Sequence, residues 1–169
     1  MVLFGVGFWK RVDEAVAFAS QSDYEAIAVY GFSRGGAEAV TVANTLLRAG
    51  ESVEFVGLFD PVPSLRFVEQ PPFTLPATTV VSVLAHDEDR AAFWPLTWHP
   101  ADNLTQKWYR GNHSYIGGDH ADVTIDFIVS KSPHWLTFKP IEEPQFGRNR
   151  WDALSRLFFL TRTREVLWR

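Results

Sequence analysis

The chain has 169 residues, 46% of them hydrophobic, a formal charge of -4 and no cysteine. That is enough apolar material for one compact domain spanning residues 1–169 with its own core. The acidic balance and the lack of any Lys/Arg-rich run exclude nucleic acid as the main partner, and the missing thiols exclude disulfides, thiolate metal sites and a cysteine nucleophile.

From the amino end, Met1 to Trp9 is apolar but short and has no basic start. Neither a signal peptide nor a membrane-spanning helix is expected there, and the chain reads as soluble. Val2 to Phe8 suits a short strand, and Arg11 to Ser20 a helix with Val12, Ala15, Val16 and Ala19 on one face. Tyr24 to Phe32 reads as a buried strand, followed by a helix from Ala37 to Arg48 with Val40, Ala43, Leu46 and Leu47 inward, closed at Ala49-Gly50. Ser52 to Phe59 and Ala77 to Ala85 are continuous apolar runs that stop at Asp60-Pro61 and His86-Asp87. Unbroken rather than alternating hydrophobicity indicates strands covered on both faces, hence a mostly parallel sheet flanked by helices.

Pro61 to Pro76 contains five prolines and reads as a loop. Lys107 to Tyr109 is expected to be a last short strand, leading into the glycine-rich stretch Gly111 to Gly118. Asp122 to Val129 suits a helix, Pro140 to Gly147 a loop, and Trp151 to Trp168 a helix with the stripe Leu154, Leu157, Phe158 and Leu160.

The chemistry concentrates at Gly31-Phe32-Ser33-Arg34-Gly35-Gly36, where a strand turns into a helix. A serine on such a turn sits in strained backbone, and glycines two residues before and after it remove the Cβ atoms that would collide with strand and helix. Its Oγ then projects at the carboxyl end of the sheet, above helix amides that favour developing negative charge. A serine nucleophile needs a base in hydrogen-bond reach and an acid to orient that base. In hydrolases built on such an elbow the chain order is serine, acid, histidine. Here Ser33 is followed by Asp60 and Asp87 at strand ends, then by His113 in the second glycine-rich loop, with His120 the competing base. Asp60 before a proline also suits an Asx turn, and Asp87 to Arg90 a solvated charge cluster or a fastening for the catalytic loops. His86, Asp87, His113, Asp119 and His120 match no spacing of a helical ligand pair, so neither metal nor cofactor is expected.

Four blocks carry a family resemblance: Tyr30 to Gly36, Gly57 to Val62, His86 to Arg90 with Phe93 and Trp94, and Trp108 to Gly118. In that order they resemble the DUF2235 α/β-hydrolase family, which includes the catalytic domain of Tle1-type phospholipase effectors of type VI secretion. The resemblance implies a compact α/β-hydrolase-like fold and a Ser-Asp-His hydrolase of carboxylic esters, with small-molecule or lipid acyl esters as substrates. Ser33 is then the nucleophile, Asp60 the acid with Asp87 as the alternative, His113 the base, and the Arg34 backbone N–H an oxyanion donor. Location follows as cytoplasmic, or secreted as an effector.

Family members usually begin with an Asp-Gly-Thr block on an early strand, upstream of what Phe4-Gly5-Val6-Gly7 resembles, and this chain has none. The early strands therefore read as missing, which leaves the second oxyanion donor unassigned and a sheet edge open to a homodimer. A reading of another class follows: a reduced, non-catalytic hydrolase fold serving as a binding or assembly module.

Overall fold

The computed structural model describes residues 7–21, 25–63, 73–117, 121–136, 158–161 and 166–167. The expected strand at Val2 to Phe8 lies largely outside them, as do the loop at Pro140 to Gly147 and most of the Pro-rich loop.

Helix α1 (Phe8–Ser20) precedes strand β1 (Ile27–Phe32), helix α2 (Arg34–Arg48) and strands β2 (Val53–Phe59) and β3 (Thr79–Ala85). A single 3-10 turn at Ala91–Phe93 leads to β4 (Leu104–Tyr109), the short helix α3 (His113–Gly117) and helix α4 (Asp122–Lys131). Two short strands, β5 (Phe158–Thr161) and β6 (Val166–Leu167), close the described chain. The sheet order is β4-β3-β2-β1-β5-β6. Strands β1 to β4 are parallel, and β5 and β6 add antiparallel to the β1 side.

Burial explains the apolar runs. Every residue of β1 is buried, and β2 and β3 are buried through their centres. One face, through Val29, Val56, Leu58 and Val80, packs on Phe8, Val12, Ala15 and Ala19 of α1 and on Val40, Ala43 and Leu46 of α2. The other, through Ala28, Tyr30, Phe55, Val81 and Val83, packs on Ile116 of α3 and Ile128 of α4. The result is the expected α/β architecture, a mostly parallel sheet between helices.

Two elements correct the sequence reading. The helix expected over Trp151 to Trp168 is instead the strand pair β5 and β6, residues 151–157 being outside the described set. Phe158-Phe159-Leu160-Thr161 joins aromatic and β-branched residues, and β1 offers a free row of backbone donors and acceptors for Ile27 to Tyr30 to pair with Thr161 to Phe158. Backbone pairing outweighs the helical spacing, because apolar periodicity over so short a run does not separate strand from helix. The same chain thus extends the sheet on the β1 side. β4 also starts three residues earlier than expected. Its first half, Leu104-Thr105-Gln106, alternates between half-buried and exposed as an edge strand does, and carries no continuous apolar signal.

Candidate active site

All parallel strands deliver their carboxyl ends to one rim of the sheet. Ser33 follows β1, Asp60 follows β2, the stretch His86 to Arg90 follows β3, and Gly111 to His113 follows β4.

The elbow is built as its glycines suggest. Ser33 has φ 58 and ψ -127, a backbone that side chains rarely adopt. A Cβ on Gly31 would stand 2.2 Å from the Gly35 carbonyl oxygen, and one on Gly36 would stand 2.6 Å from Pro61 Cβ. α2 begins directly at Arg34, three residues before the expected start, so Ser33 is its N-cap. A serine there ordinarily bonds the helix's own first-turn amides, a contribution of about 1 kcal/mol. Ser33 makes no such cap bond. Its Oγ–H donates instead to His113 Nε2 at 2.7 Å.

His113 Nδ1–H donates to Asp60 Oδ2 at 2.6 Å, and Asp60 Oδ1 accepts the Ala85 backbone N–H at 2.8 Å. Asp60 is 0% and His113 2% exposed. With Nδ1 donating to the carboxylate, Nε2 of the neutral ring is left as the acceptor, the tautomer that can take a proton from Oγ. Two phenyl rings pack on the imidazole, Phe32 at 4.7 Å between centroids with planes 23° apart and Phe93 at 4.9 Å. At the start of α2 the Arg34 amide belongs to the first turn, which lacks intrahelical acceptors and carries the positive end of the helix dipole.

Ser33, Asp60 and His113 are thus brought into one line. Asp87 is not brought to it. Its side chain is 41% exposed, Oδ1 lies 2.6 Å from His86 Nδ1, and Oδ2 accepts the Gly111 N–H at 2.8 Å. These hydrogen bonds, that from His86 first, hold its carboxyl below the usual range. His120 lies outside the described residues. Among the described residues no group of three or more His, Asp or Glu side chains gathers as a metal centre requires.

One feature escaped the sequence, and a second was only one of two readings of the charges at Asp87 to Arg90. Glu38, fully buried on α2, is held by Arg11 of α1 through Nε at 2.8 Å and through a second guanidinium nitrogen, all on Oε1. Arg34 Nε stands 3.5 Å from the same oxygen. Burial pushes the Glu38 carboxyl up against the pull of both guanidiniums, and burial, with the neighbouring charge of Arg11, pushes the Arg34 guanidinium down. A charged residue amid the Ala/Val face of α2, four residues after Arg34, was the available signal. The second is Glu88, whose side chain is only 1% exposed. Its Oε2 accepts the His113 backbone N–H at 3.1 Å.

Residues 43–137, more than half of the chain, match the family described as "T6SS, Phospholipase effector Tle1-like, catalytic domain". The chain belongs to this family. Membership puts the Tle1-like domain in a class of lipid hydrolases. The matched stretch contains Asp60, Asp87, Glu88 and His113 and begins downstream of Ser33, so the elbow serine enters through its position and hydrogen bond alone. A search of curated proteins returns no match. Among the described residues no helix is long and apolar enough to cross a membrane.

Proposed function

We infer that this Tle1-like domain is a serine esterase that cleaves carboxylic esters, with acyl esters of lipids or phospholipids as its substrate class. The observation that carries the reading is the relay from Ser33 Oγ to His113 Nε2 at 2.7 Å and from Nδ1 to Asp60 at 2.6 Å, placed on a strained strand-to-helix turn. Membership of a phospholipase effector family supports the substrate class and agrees with a secreted role.

In this mechanism Ser33 Oγ attacks the ester carbonyl while its proton passes to His113 Nε2. Asp60 stabilises the imidazolium, and the Arg34 N–H at the start of α2 donates to the oxyanion. The tetrahedral intermediate expels the alcohol, which takes the proton from Nε2, and leaves an acyl ester on Oγ. Water then attacks that ester and gives a proton to Nε2, and as the second tetrahedral intermediate collapses to the carboxylic acid the departing Ser33 Oγ takes that proton back from Nε2. Phe93 and the neighbouring exposed Trp94 offer apolar surface beside the imidazole for an acyl chain.

The full chain is tested with short-chain p-nitrophenyl esters and a fluorophosphonate probe. Covalent labelling at Ser33 and turnover that falls by about 10⁴-fold or more in Ser33→Ala are expected. A folded protein that is not labelled, with Ser33→Ala equal to wild type, replaces this reading with that of a non-catalytic binding module.

A further inference from the structure

We propose that Glu88 is a positioning residue for the imidazole of His113, acting through the backbone of the histidine and through a column formed by Arg90 and Phe93. The inference rests on the triad reading above and extends it to a residue that touches neither substrate nor the reacting atoms.

The carboxylate of Glu88 is enclosed and fully used. Oε1 accepts the Arg90 backbone N–H at 2.9 Å and Arg90 Nε at 2.7 Å, and Oε2 accepts a terminal Arg90 nitrogen at 2.7 Å and the His113 N–H at 3.1 Å. A two-pronged guanidinium–carboxylate pair fixes the plane of the guanidinium as well as its place. That plane lies over Phe93, with Arg90 Cζ 4.2 Å from the ring centroid, and the Phe93 ring lies 4.9 Å from that of His113. One carboxylate therefore holds the histidine twice, at its amide and, through Arg90 and the tilted Phe93 ring, at its imidazole.

The segment it acts on needs such a hold. His113 opens α3, a helix of five residues, and follows Gly111, whose φ of 120 belongs to glycine. The neighbouring Asp87 takes the Gly111 N–H at 2.8 Å, and the Asp87 N–H donates to the Gly111 carbonyl at 3.0 Å. Two successive carboxylates after β3 thus grip the loop after β4 at residues 111 and 113, but only Glu88 reaches the histidine. Positioning matters here because a shift of about 1 Å in a reacting group can lower the rate by about 100-fold.

The test uses the full chain, with Glu88→Ala, Glu88→Gln and Arg90→Met beside wild type. Active sites are titrated to completion with the fluorophosphonate, and kcat and KM for a p-nitrophenyl ester are expressed per titrated site, which removes unfolded protein from the comparison. In Glu88→Ala, kcat per site and the rate of labelling are expected to fall about 10- to 100-fold with KM within about twofold. Glu88→Gln, which keeps an oxygen for the His113 N–H, falls less, and Arg90→Met falls through the column alone. Should Glu88→Ala fail to fold, the other two variants decide. Wild-type kcat per site in these variants, with Ser33 still labelled, overturns the positioning role and leaves the triad standing. An unlabelled wild type overturns both.

Discussion

The backbone of Ser33 is tied on both sides of Asp60: its N–H donates to the Phe59 carbonyl at 3.0 Å, and its carbonyl accepts the Val62 N–H at 2.9 Å. The two residues end adjacent parallel strands, and both have positive φ, 58 and 42. Strain at the Ser33 turn and at the Asp60 turn is therefore shared by one hydrogen-bonded unit rather than stored in two independent loops.

That unit closes only around glycine. In Gly31→Ala the new Cβ would meet the Gly35 carbonyl oxygen at 2.2 Å and Gly36 N at 2.7 Å, all backbone of the elbow and its helix. In Gly36→Ala it would meet Pro61 Cβ at 2.6 Å and Cα at 2.9 Å. Neither neighbour is the flexible end of a side chain, so the elbow must open. Each substitution is expected to lower stability by about 2–3 kcal/mol and to abolish fluorophosphonate labelling, read by denaturant melts and by gel. Wild-type midpoints and labelling in both would disprove the close packing of this turn.

Asp60→Asn separates charge from shape. The carboxylate accepts from two donors, the Ala85 N–H on Oδ1 and His113 Nδ1–H on Oδ2. An amide has one accepting oxygen, and the Ala85 N–H is a buried backbone donor that cannot turn away. The oxygen is expected to stay with Ala85, so the NH₂ group faces Nδ1 and drives the proton to Nε2, where it blocks acceptance from Ser33. Turnover should fall by about 10⁴-fold with little change in the melting temperature. A loss under tenfold would remove Asp60 from the acid's role.

The sequence made the central strands legible because β1 to β3 are buried on both faces and so spell continuous apolar runs. It placed the serine at a turn because steric demand there is local and leaves glycines as its trace. What it left open was tertiary. Asp60 and Asp87 both end strands in the right chain order, and only their distances to His113 separate them. The strand pair β5 and β6 was hidden because its partner, the edge of β1, lies over a hundred residues earlier. Glu88 looked like one of several charges after β3, since an acceptor for a backbone amide leaves no spacing rule in the chain.

Gly117→Ala tests whether the ring packing around His113 matters. A Cβ there would stand 2.0 Å from Phe32 Cδ2, and Phe32, only 6% exposed, has little room to retreat. The Phe32 ring lies 4.7 Å from that of His113, so a displaced phenyl moves the imidazole or opens its side to water. A roughly tenfold lower kcat and a loss of about 1–3 kcal/mol are expected. Normal kcat per active site in a destabilised variant would show that the phenyl contributes to packing alone.

Glu88 also gives the fold a pH dependence whose sign can be worked out. Its carboxyl is lowered from the ordinary 4.5 to about 2, first by the Arg90 side chain, against the effect of burial, and further by the amides of Arg90 and His113. A depressed carboxyl contributes stability that is complete above its unfolded value and is lost as pH falls through its folded one. In the window from about 4.5 down to about 2 the unfolded chain holds more protons at this site, so stability declines with acidification. Arg90 is half exposed, and solvent screening reduces the net worth of the pair to about 1 kcal/mol. Wild type should therefore melt roughly 2–4 °C above Glu88→Gln at pH 7. The gap should be unchanged at pH 5.5 and close progressively below about 4.5. Melting curves of both proteins across that range measure it, and a gap that persists undiminished at pH 2.5 would mean that the carboxylate's charge contributes nothing to holding the loop.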